Sequence, residues 1–242
     1  MAQLNETRMV LIGRTGGGKS STGNMILGKR KEDEERFDDK TSGSSKTKQC
    51  NYIKELVGRK MIQVVDTPGL FDTDGETKTT DSLMEIAKCL IVSSPGPHAF
   101  LLVLSIGRFT PEIEKSIRNL RETFGEDFLS RTIIVFTRKD DLDHDKISIE
   151  DWKKTVPKYL ATLMEECNQR YIAISNRYED TEVQVNELFA LIDELVKSNG
   201  GTYYSSARYV KVETEIRKME EMQKAEIEQQ RQEAIKSHSA QR

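Results

Sequence analysis

A glycine-rich loop near the start of the chain constrains the fold more than any other feature. Gly13, Gly18, Lys19 and Ser20 fit the pattern G-x-x-x-x-G-K-[ST]. An apolar run over residues 9–12 predicts a buried strand before the loop, and residues 19–27 predict a helix after it. This strand–loop–helix context favours a phosphate-binding loop over a chance glycine-rich turn.

The chemistry of such a loop is well defined. Backbone N–H groups of the loop and of the following helix N-terminus point at phosphate oxygens. Lys19 would reach the outer phosphates, and the Ser20 hydroxyl would bind Mg²⁺. The residues predicted to surround the phosphates are Arg14, Thr15, Gly16, Gly17, Gly18, Lys19, Ser20 and Ser21. The loop therefore predicts a nucleotide site, but it does not identify the nucleotide.

Length and composition fit one α/β domain with an extension. The 242 residues carry 37 basic and 40 acidic side chains, so the formal net charge of −3 does not favour nucleic acid as a partner. The N-terminus lacks the apolar core of a signal peptide, and no apolar run reaches the roughly 18 residues of a membrane span. Cys50, Cys89 and Cys167 lack metal-type spacing and indicate a reducing compartment. We therefore expect a cytoplasmic protein, with peripheral binding to organelle membranes if a longer natural chain carries an anchor.

Strand and helix patterns alternate along most of the chain. Predicted strands cover residues 9–12, 52–57, 61–65, 99–104, 132–136 and 171–174, with a hairpin turn at Gly58. Predicted helices cover residues 19–27, 79–93, 111–124, 149–166 and 181–197. This alternation predicts an α/β fold with a mostly parallel central sheet flanked by helices, and ligands that bind beyond the carboxyl ends of the strands. We expect this domain to cover residues 1–200.

A different pattern begins after the turn-rich residues 197–208. Residues 209–242 contain almost no helix breakers and predict a helix, so we expect a C-terminal helical extension over residues 201–242. Tyr209, Val212, Ile216 and Met219 form a short apolar stripe at helical spacing, and charged residues and glutamine dominate after it. We expect the first half of this helix to dock on another surface and the second half to be solvated.

The second motif, D-T-P-G at residues 66–69, follows a predicted buried strand. In this position Asp66 can hold Mg²⁺ through water, and the Gly69 N–H can meet a γ-phosphate. The polar residues 28–50 form a long connection that is either functional or disordered, and a threonine in it could complete the Mg²⁺ shell as part of a switch. The candidate threonines in this segment are Thr47 and Thr41, and spacing alone does not choose between them.

The third motif, T-R-K-D-D-L at residues 137–142, follows another predicted strand. A carboxylate there can accept hydrogen bonds from N1–H and the exocyclic amine of guanine, whereas adenine presents an acceptor at N1. Asp141 is the candidate for this contact, Asp140 is the alternative, and the Lys139 stem can cover the base face. Ser175 and Asn176, after the last predicted strand, could close the other side of the base. The motifs together predict GTP or GDP as the ligand and Mg²⁺ as the cofactor.

These motifs make the chain resemble the GTPases of immunity-associated proteins, a septin-like branch of the GTPases related to the chloroplast import receptors. The resemblance also rests on a family-specific box over residues 98–114 and on R-Y-I-A-I-S-N-R at residues 170–177. It implies a P-loop GTPase domain in which Thr47 binds the metal and Asp141 reads the base. The family usually has two consecutive asparagines in its last motif. Here Ser175 takes the place of the first, so only Asn176 carries over. The resemblance further implies self-association through the GTP-binding face, and roles in lymphocyte survival or in defence at organelle membranes.

The sequence indicates less clearly which residues would support GTP hydrolysis. Leu70 follows the D-x-x-G motif, where Ras-type enzymes place a water-orienting glutamine, so slow intrinsic hydrolysis is expected. Arg108 follows a predicted strand end and could reach a neighbouring subunit's γ-phosphate, a contact worth about 10³–10⁵ in rate. Its alternative role is a surface salt bridge. Arg14 is a second arginine near the phosphates, and His98 is expected to be structural.

Two functions are compatible with these residues. The first is a GTPase that is slow as a monomer and faster in a GTP-dependent homodimer, where Arg108, Thr47 and Gly69 act at the γ-phosphate. The alternative is a GTP-loaded scaffold that hardly hydrolyses GTP and acts by nucleotide-dependent self-assembly.

Overall fold

The computed structural model describes residues 6–39, 50–69, 91–125, 127–175 and 181–205, and single residues between 210 and 225. The strands are β1 (Glu6–Gly13), β2 (Asn51–Val57), β3 (Lys60–Asp66), β4 (Ala99–Ser105), β5 (Thr132–Thr137) and β6 (Tyr171–Ile174). The helices are α1 (Lys19–Ile26), α2 (Pro111–Phe124), α3 (Asp127–Ser130), α4 (Lys139–His144), α5 (Ile149–Lys153), α6 (Lys158–Glu166) and α7 (Thr181–Ser198).

The strands form one six-stranded sheet in the order β2-β3-β1-β4-β5-β6. Only β2 runs antiparallel, paired with β3 through a hairpin whose Gly58 has φ 62°. The remaining neighbours pair in parallel. The predicted mostly parallel sheet is therefore confirmed, and the carboxyl ends of its parallel strands meet at a single edge.

The central strands β1, β4 and β5 read as apolar runs because helices cover both faces of the sheet. Every residue of β4 and β5 is buried. Along β1, Val10 and Ile12 pack with α2 and α6, whereas Met9 and Leu11 pack with α1 and α7 on the opposite face. The alternation of these side chains gives the domain a three-layer arrangement with the sheet in the middle.

The predicted helix over residues 149–166 is wrong as one element, because the structure divides it into α5 and α6. Pro157 immediately precedes α6 with φ −56° and ψ 147°. Proline lacks an N–H donor and disfavours helical backbone at the residue before it, so a continuous helix cannot form there. The predicted helix over residues 79–93 lies outside the described residues except for its last three.

The chain contributes to the domain core beyond residue 200. Tyr204 is fully buried, its ring lies 5.1 Å from that of Phe100, and its hydroxyl donates to the Phe124 carbonyl oxygen. Arg131 donates to both the carbonyl oxygen and the hydroxyl of Thr202, at 2.6 and 2.8 Å. The boundary at residue 200 stays a prediction, as does docking of the later helix, whose apolar stripe lies outside the described residues.

No helix in the described part of the chain is both long enough and apolar enough to span a membrane.

Candidate nucleotide-binding site

The phosphate loop connects β1 to α1 by a tight turn. Gly17 N–H donates to the Arg14 carbonyl oxygen at 3.0 Å, while the Arg14 side chain is exposed. Gly18 caps α1 with φ 97°, a left-handed conformation that glycine adopts without steric cost. Because α1 starts directly after this residue, its N-terminal N–H groups face the loop, as anion binding requires.

Lys19 supplies a positive charge inside the loop. Its side chain is buried, and Nζ donates to the carbonyl oxygens of Gly13 and Arg14 at 3.1 Å each. The loop therefore wraps around the ammonium group. A buried cation in a glycine-rich loop fits the negative charge of a polyphosphate.

Ser20, at the start of α1, contacts Asp66, at the end of β3. Ser20 Oγ donates to Asp66 Oδ2 at 2.6 Å, and the Asp66 side chain is 1% exposed. Burial raises the pKa of Asp66, and this effect is opposed by the charge of Lys19 and by the Ser20 hydrogen bond. Asp66 Oδ1 has no hydrogen-bond partner among the described residues.

These two oxygen-bearing side chains fit a magnesium ion. Mg²⁺ prefers oxygen ligands and keeps several waters, so it binds through one or two carboxylates together with substrate phosphates. A buried carboxylate oxygen without a partner is costly unless a cation or its water compensates it. The third predicted ligand, Thr47, and its rival Thr41 lie outside the described residues.

The D-x-x-G motif lies directly against the phosphate loop. A Cβ added at Gly69 would lie 1.8 Å from Thr15 Oγ1 and 2.7 Å from the Thr15 backbone nitrogen, so no larger residue fits. Thr67 donates to the Leu11 carbonyl oxygen at 2.7 Å and holds the motif on β1. The structure thus brings together two motifs that the sequence separates by about fifty residues.

The predicted base-reading residues lie in the first turn of α4, directly after β5. Asp141 is half-buried and forms an ion pair with Arg138, whose Nη2 lies 2.7 Å from Asp141 Oδ2. Arg138 adopts a left-handed φ of 68°. Lys139 and Asp140 are also partly exposed in the same turn. The ion pair holds the Arg138 guanidinium beside the Asp141 carboxylate, a contact that the sequence patterns did not indicate.

The other predicted base contact is only partly visible. Ser175 N–H donates to Gln184 Oε1 at 2.8 Å, and Asn176 lies outside the described residues. A cavity of about 520 Å³ beside α1 is lined by Ser21, Ser175 and the start of α7. Its lining thus includes one residue predicted for the phosphates, Ser21, and one predicted near the base, Ser175, together with residues in the segment 28–39.

Two hydroxyls that sequence analysis missed hold the phosphate loop. Thr137 Oγ1 donates to the Gly17 carbonyl oxygen at 2.8 Å, and Ser105 Oγ lies 3.5 Å from the same oxygen. Ser105 and Thr137 end β4 and β5 and pair in register. The available signal was a hydroxyl residue at the end of each of two buried strands, on the edge where ligands bind.

A further missed contact joins α1 to the residues that precede the predicted switch threonines. Asn24 is buried, its Nδ2 donates to the Phe37 carbonyl oxygen at 2.9 Å, and its Oδ1 accepts from Phe37 N–H at 2.8 Å. The Phe37 ring is buried in the core beside α1. These two reciprocal hydrogen bonds hold the backbone of Phe37 against α1.

The remaining predicted residues are Arg108, His98 and Leu70. Arg108 is exposed three residues after Ser105, and the described residues offer its side chain no hydrogen bond or ion pair. His98 is buried, and its Nδ1 accepts from Arg8 N–H at 3.0 Å, which agrees with a structural role. Leu70 lies outside the described residues.

Comparisons with known proteins identify relatives. The AIG1 family model matches residues 7–223. The chain is 34% identical to immune-associated nucleotide-binding protein 13 of Arabidopsis thaliana, covering 97% of this chain and 72% of the relative. It is 35% identical to GTPase IMAP family member 8 of Homo sapiens, covering 84% of this chain and 29% of the relative. A third relative, Arabidopsis immune-associated nucleotide-binding protein 8, is covered over 61% of its length.

Solved structures show the same fold at lower sequence identity. Toc33 from Arabidopsis thaliana, in complex with Mg²⁺ and GMPPNP, aligns with a TM-score of 0.61 and 18% identity over 80% of this chain and 86% of that chain. The FeoB G-domain from Methanococcus jannaschii aligns with a TM-score of 0.51 and 15% identity over 80% of this chain and 99% of that one. The resemblance to the immunity-associated GTPases is confirmed by the family match and by relatives above 30% identity. The chain belongs to the AIG1 family, and its globular part has the P-loop GTPase fold.

Proposed function

We propose that this chain binds GTP and GDP with Mg²⁺ and hydrolyses GTP to GDP. The observation that carries the proposal is the hydrogen bond of Ser20 to the buried Asp66 beside Lys19, where one carboxylate oxygen of Asp66 has no partner among the described residues. With nucleotide bound, Mg²⁺ would neutralise the β- and γ-phosphate oxygens. Ser20, Asp66 and Thr47 would hold the ion, Ser20 and Thr47 through their hydroxyls and Asp66 through water.

Guanine selectivity is assigned to Asp141. Its carboxylate accepts from two N–H groups of guanine, and adenine would leave it facing a lone pair. Lys139 covers one face of the base and Asn176 the other side. The phosphates are surrounded by the remaining residues of the loop: Arg14, Thr15, Gly16, Gly17 and Ser21.

Hydrolysis is proposed to be slow in the monomer and faster in a GTP-dependent homodimer. Leu70 cannot orient a water molecule, so the transition state needs a charge from elsewhere. Arg108 is exposed, and it follows β4 at the same sheet edge as the phosphate loop, because Ser105 at the end of that strand lies beside Gly17. We assign it to the neighbour's γ-phosphate. Dimerisation is described as important for the GTPase activity of the chloroplast proteins atToc33 and psToc159, which share the fold.

The proposal also covers location and partners. A second copy of this chain is the proposed partner, joined through the nucleotide-binding face. The cytoplasm is the proposed compartment, with peripheral association at organelle membranes if a longer natural chain carries an anchor.

The decisive experiment measures GTP turnover per molecule from nanomolar to tens of micromolar protein. Turnover should rise with concentration, and GDP with aluminium fluoride should convert monomer to dimer in sedimentation analysis. Arg108→Ala should lower turnover in the dimer by about 10³ while leaving monomer GTP affinity unchanged. Arg118→Ala is the matched control, because Arg118 is an exposed arginine paired with Glu114 on α2.

Two results would contradict parts of the proposal. A turnover that stays flat but measurable across the concentration range would exclude the arginine in trans. A flat rate close to zero, together with nucleotide-dependent assembly, would favour a GTP-loaded scaffold instead.

A further inference from the structure

The carbonyl oxygen of Gly17 points away from the predicted phosphates, towards the carboxyl ends of β4 and β5. Thr137 Oγ1 donates to it at 2.8 Å, and Thr137 is 1% exposed. Ser105 Oγ lies 3.5 Å from the same oxygen and 3.3 Å from Thr137 Oγ1. The Thr137 hydroxyl has a single hydrogen, and the 2.8 Å contact is the shorter of its two contacts.

The orientation of this carbonyl sets the direction of the next N–H. Gly17 C=O and Gly18 N–H belong to one peptide unit, and in a planar trans peptide the two groups point in opposite directions. With the oxygen held on the sheet edge, Gly18 N–H points to the opposite, concave side of the loop. Glycine neighbours restrict this peptide little, so an external hydrogen bond is needed to select one orientation.

We infer that Thr137 is a positioning residue that holds the phosphate loop in the conformation that binds the β-phosphate. This inference rests on the proposed binding of guanine nucleotide. Gly18 immediately precedes Lys19, whose ammonium reaches the β- and γ-phosphates, so the Gly18 N–H is assigned to the β-phosphate. Thr137 also immediately precedes the segment that carries Arg138 and Asp141. It therefore gives the phosphate loop and the base-reading turn a common support.

The structure provides a matched control on the same strand. Thr132 begins β5, is fully buried, and donates from Oγ1 to the Phe128 carbonyl oxygen at 2.8 Å. Thr132→Val and Thr137→Val therefore remove the same group, with the same kind of bond, from opposite ends of β5. Of these two threonines, Thr137 contacts the phosphate loop and Thr132 does not.

The test compares GDP with GMP, which lacks the β-phosphate, by displacement of a fluorescent GDP analogue. Thr137→Val should weaken GDP binding about tenfold, which corresponds to about 1.4 kcal/mol, because a buried carbonyl loses its donor. It should change GMP binding by less than about twofold, since the base contacts remain. Thr137→Ser, which keeps the hydroxyl, should restore GDP binding, and Thr132→Val should leave both affinities at the wild-type level.

The outcomes separate this inference from the proposed function. Wild-type protein that fails to bind GDP would contradict the proposed function. If Thr137→Val binds GDP as tightly as the wild type does, only the positioning role of Thr137 is overturned. Equal losses of GDP and GMP affinity in Thr137→Val, or a loss in Thr132→Val of the same size, would also overturn it. If Thr137→Val does not fold, Thr137→Ala removes the same hydroxyl with less steric demand and is judged by the same GDP-to-GMP ratio.

Discussion

The hydroxyl of Ser20 lies 2.6 Å from a carboxylate oxygen of Asp66, although 46 positions separate the two residues in the sequence. This contact joins the start of α1 to the end of β3. It places a charged group with an unpartnered oxygen next to the ammonium of Lys19, within the described part of the chain. The arrangement explains why both motifs are needed for one metal site.

The first prediction concerns this metal site. Asp66→Asn should raise the Mg²⁺ concentration needed for tight nucleotide binding about 10–100-fold, because a neutral amide no longer orders the water shell of the ion. The measurement is GDP affinity as a function of free Mg²⁺. With Mg²⁺ chelated, the variant and the wild type should bind GDP with similar affinity. A difference that persists without Mg²⁺ would mean that Asp66 acts on the nucleotide or the fold instead.

The second prediction concerns base selection. Asp141→Asn should weaken GDP binding by about 1–3 kcal/mol and shift the preference towards xanthosine diphosphate, because the amide can donate to the xanthine carbonyl. Asp140→Asn is the control, since it changes the neighbouring carboxylate in the same helical turn. A switch to xanthine in Asp140→Asn rather than in Asp141→Asn would reassign the base contact. Competition by ATP as strong as by GTP in the wild type would refute guanine selectivity.

The third prediction concerns the contact between Asn24 and Phe37. Asn24→Ala removes two hydrogen bonds that hold the Phe37 backbone, so tryptic cleavage after Arg36 should accelerate. The free energy of unfolding should fall by about 1–3 kcal/mol, because two buried backbone groups lose their partner. Asn199→Ala is the control. It removes a bond from Asn199 Nδ2 to the Leu195 carbonyl oxygen at the end of α7 and should leave cleavage after Arg36 at the wild-type rate.

The fourth prediction is a pH dependence of stability. Burial, aided by the charge of Arg8, lowers the pKa of His98 to about 4, whereas the unfolded chain titrates near 6.5. Between these values the unfolded state binds a proton that the folded state does not, so stability falls as pH drops from 6.5 to 4. Because water reaches part of the ring, the expected loss is on the order of 1–2 kcal/mol.

The matched variant for this titration is His98→Gln. Glutamine can accept from Arg8 N–H in place of His98 Nδ1 but does not titrate. Urea unfolding of both proteins at pH 7, 6, 5 and 4 measures the effect. The difference between them should grow as the pH falls. Parallel curves would show that other groups cause the acid sensitivity.

Sequence alone was sufficient for the strands and for α1, which carry the phosphate loop and Asp66, but it did not predict α4, which carries Asp141. The bounds of α2 and β6 agree with prediction, and the other described strands differ by one to three residues at an end. These elements follow local patterns: buried strands are apolar runs, and Thr110 before Pro111 marks the start of α2. Among the predicted elements that the structure describes, the long helix at 149–166 was wrong, because its apolar periodicity continues across Pro157.

The sequence also predicts which residues bind the phosphates and the metal, because glycine, lysine, serine and aspartate at fixed spacing have few other uses together. Tertiary structure alone decided which groups support them. Thr137 and Asn24 bond to the backbone of Gly17 and Phe37, and every residue carries the same backbone groups. A hydroxyl residue at the end of a buried strand can be recognised in the sequence, but the backbone group that it contacts cannot, so these contacts appear only when the folded sheet and helices bring distant segments together.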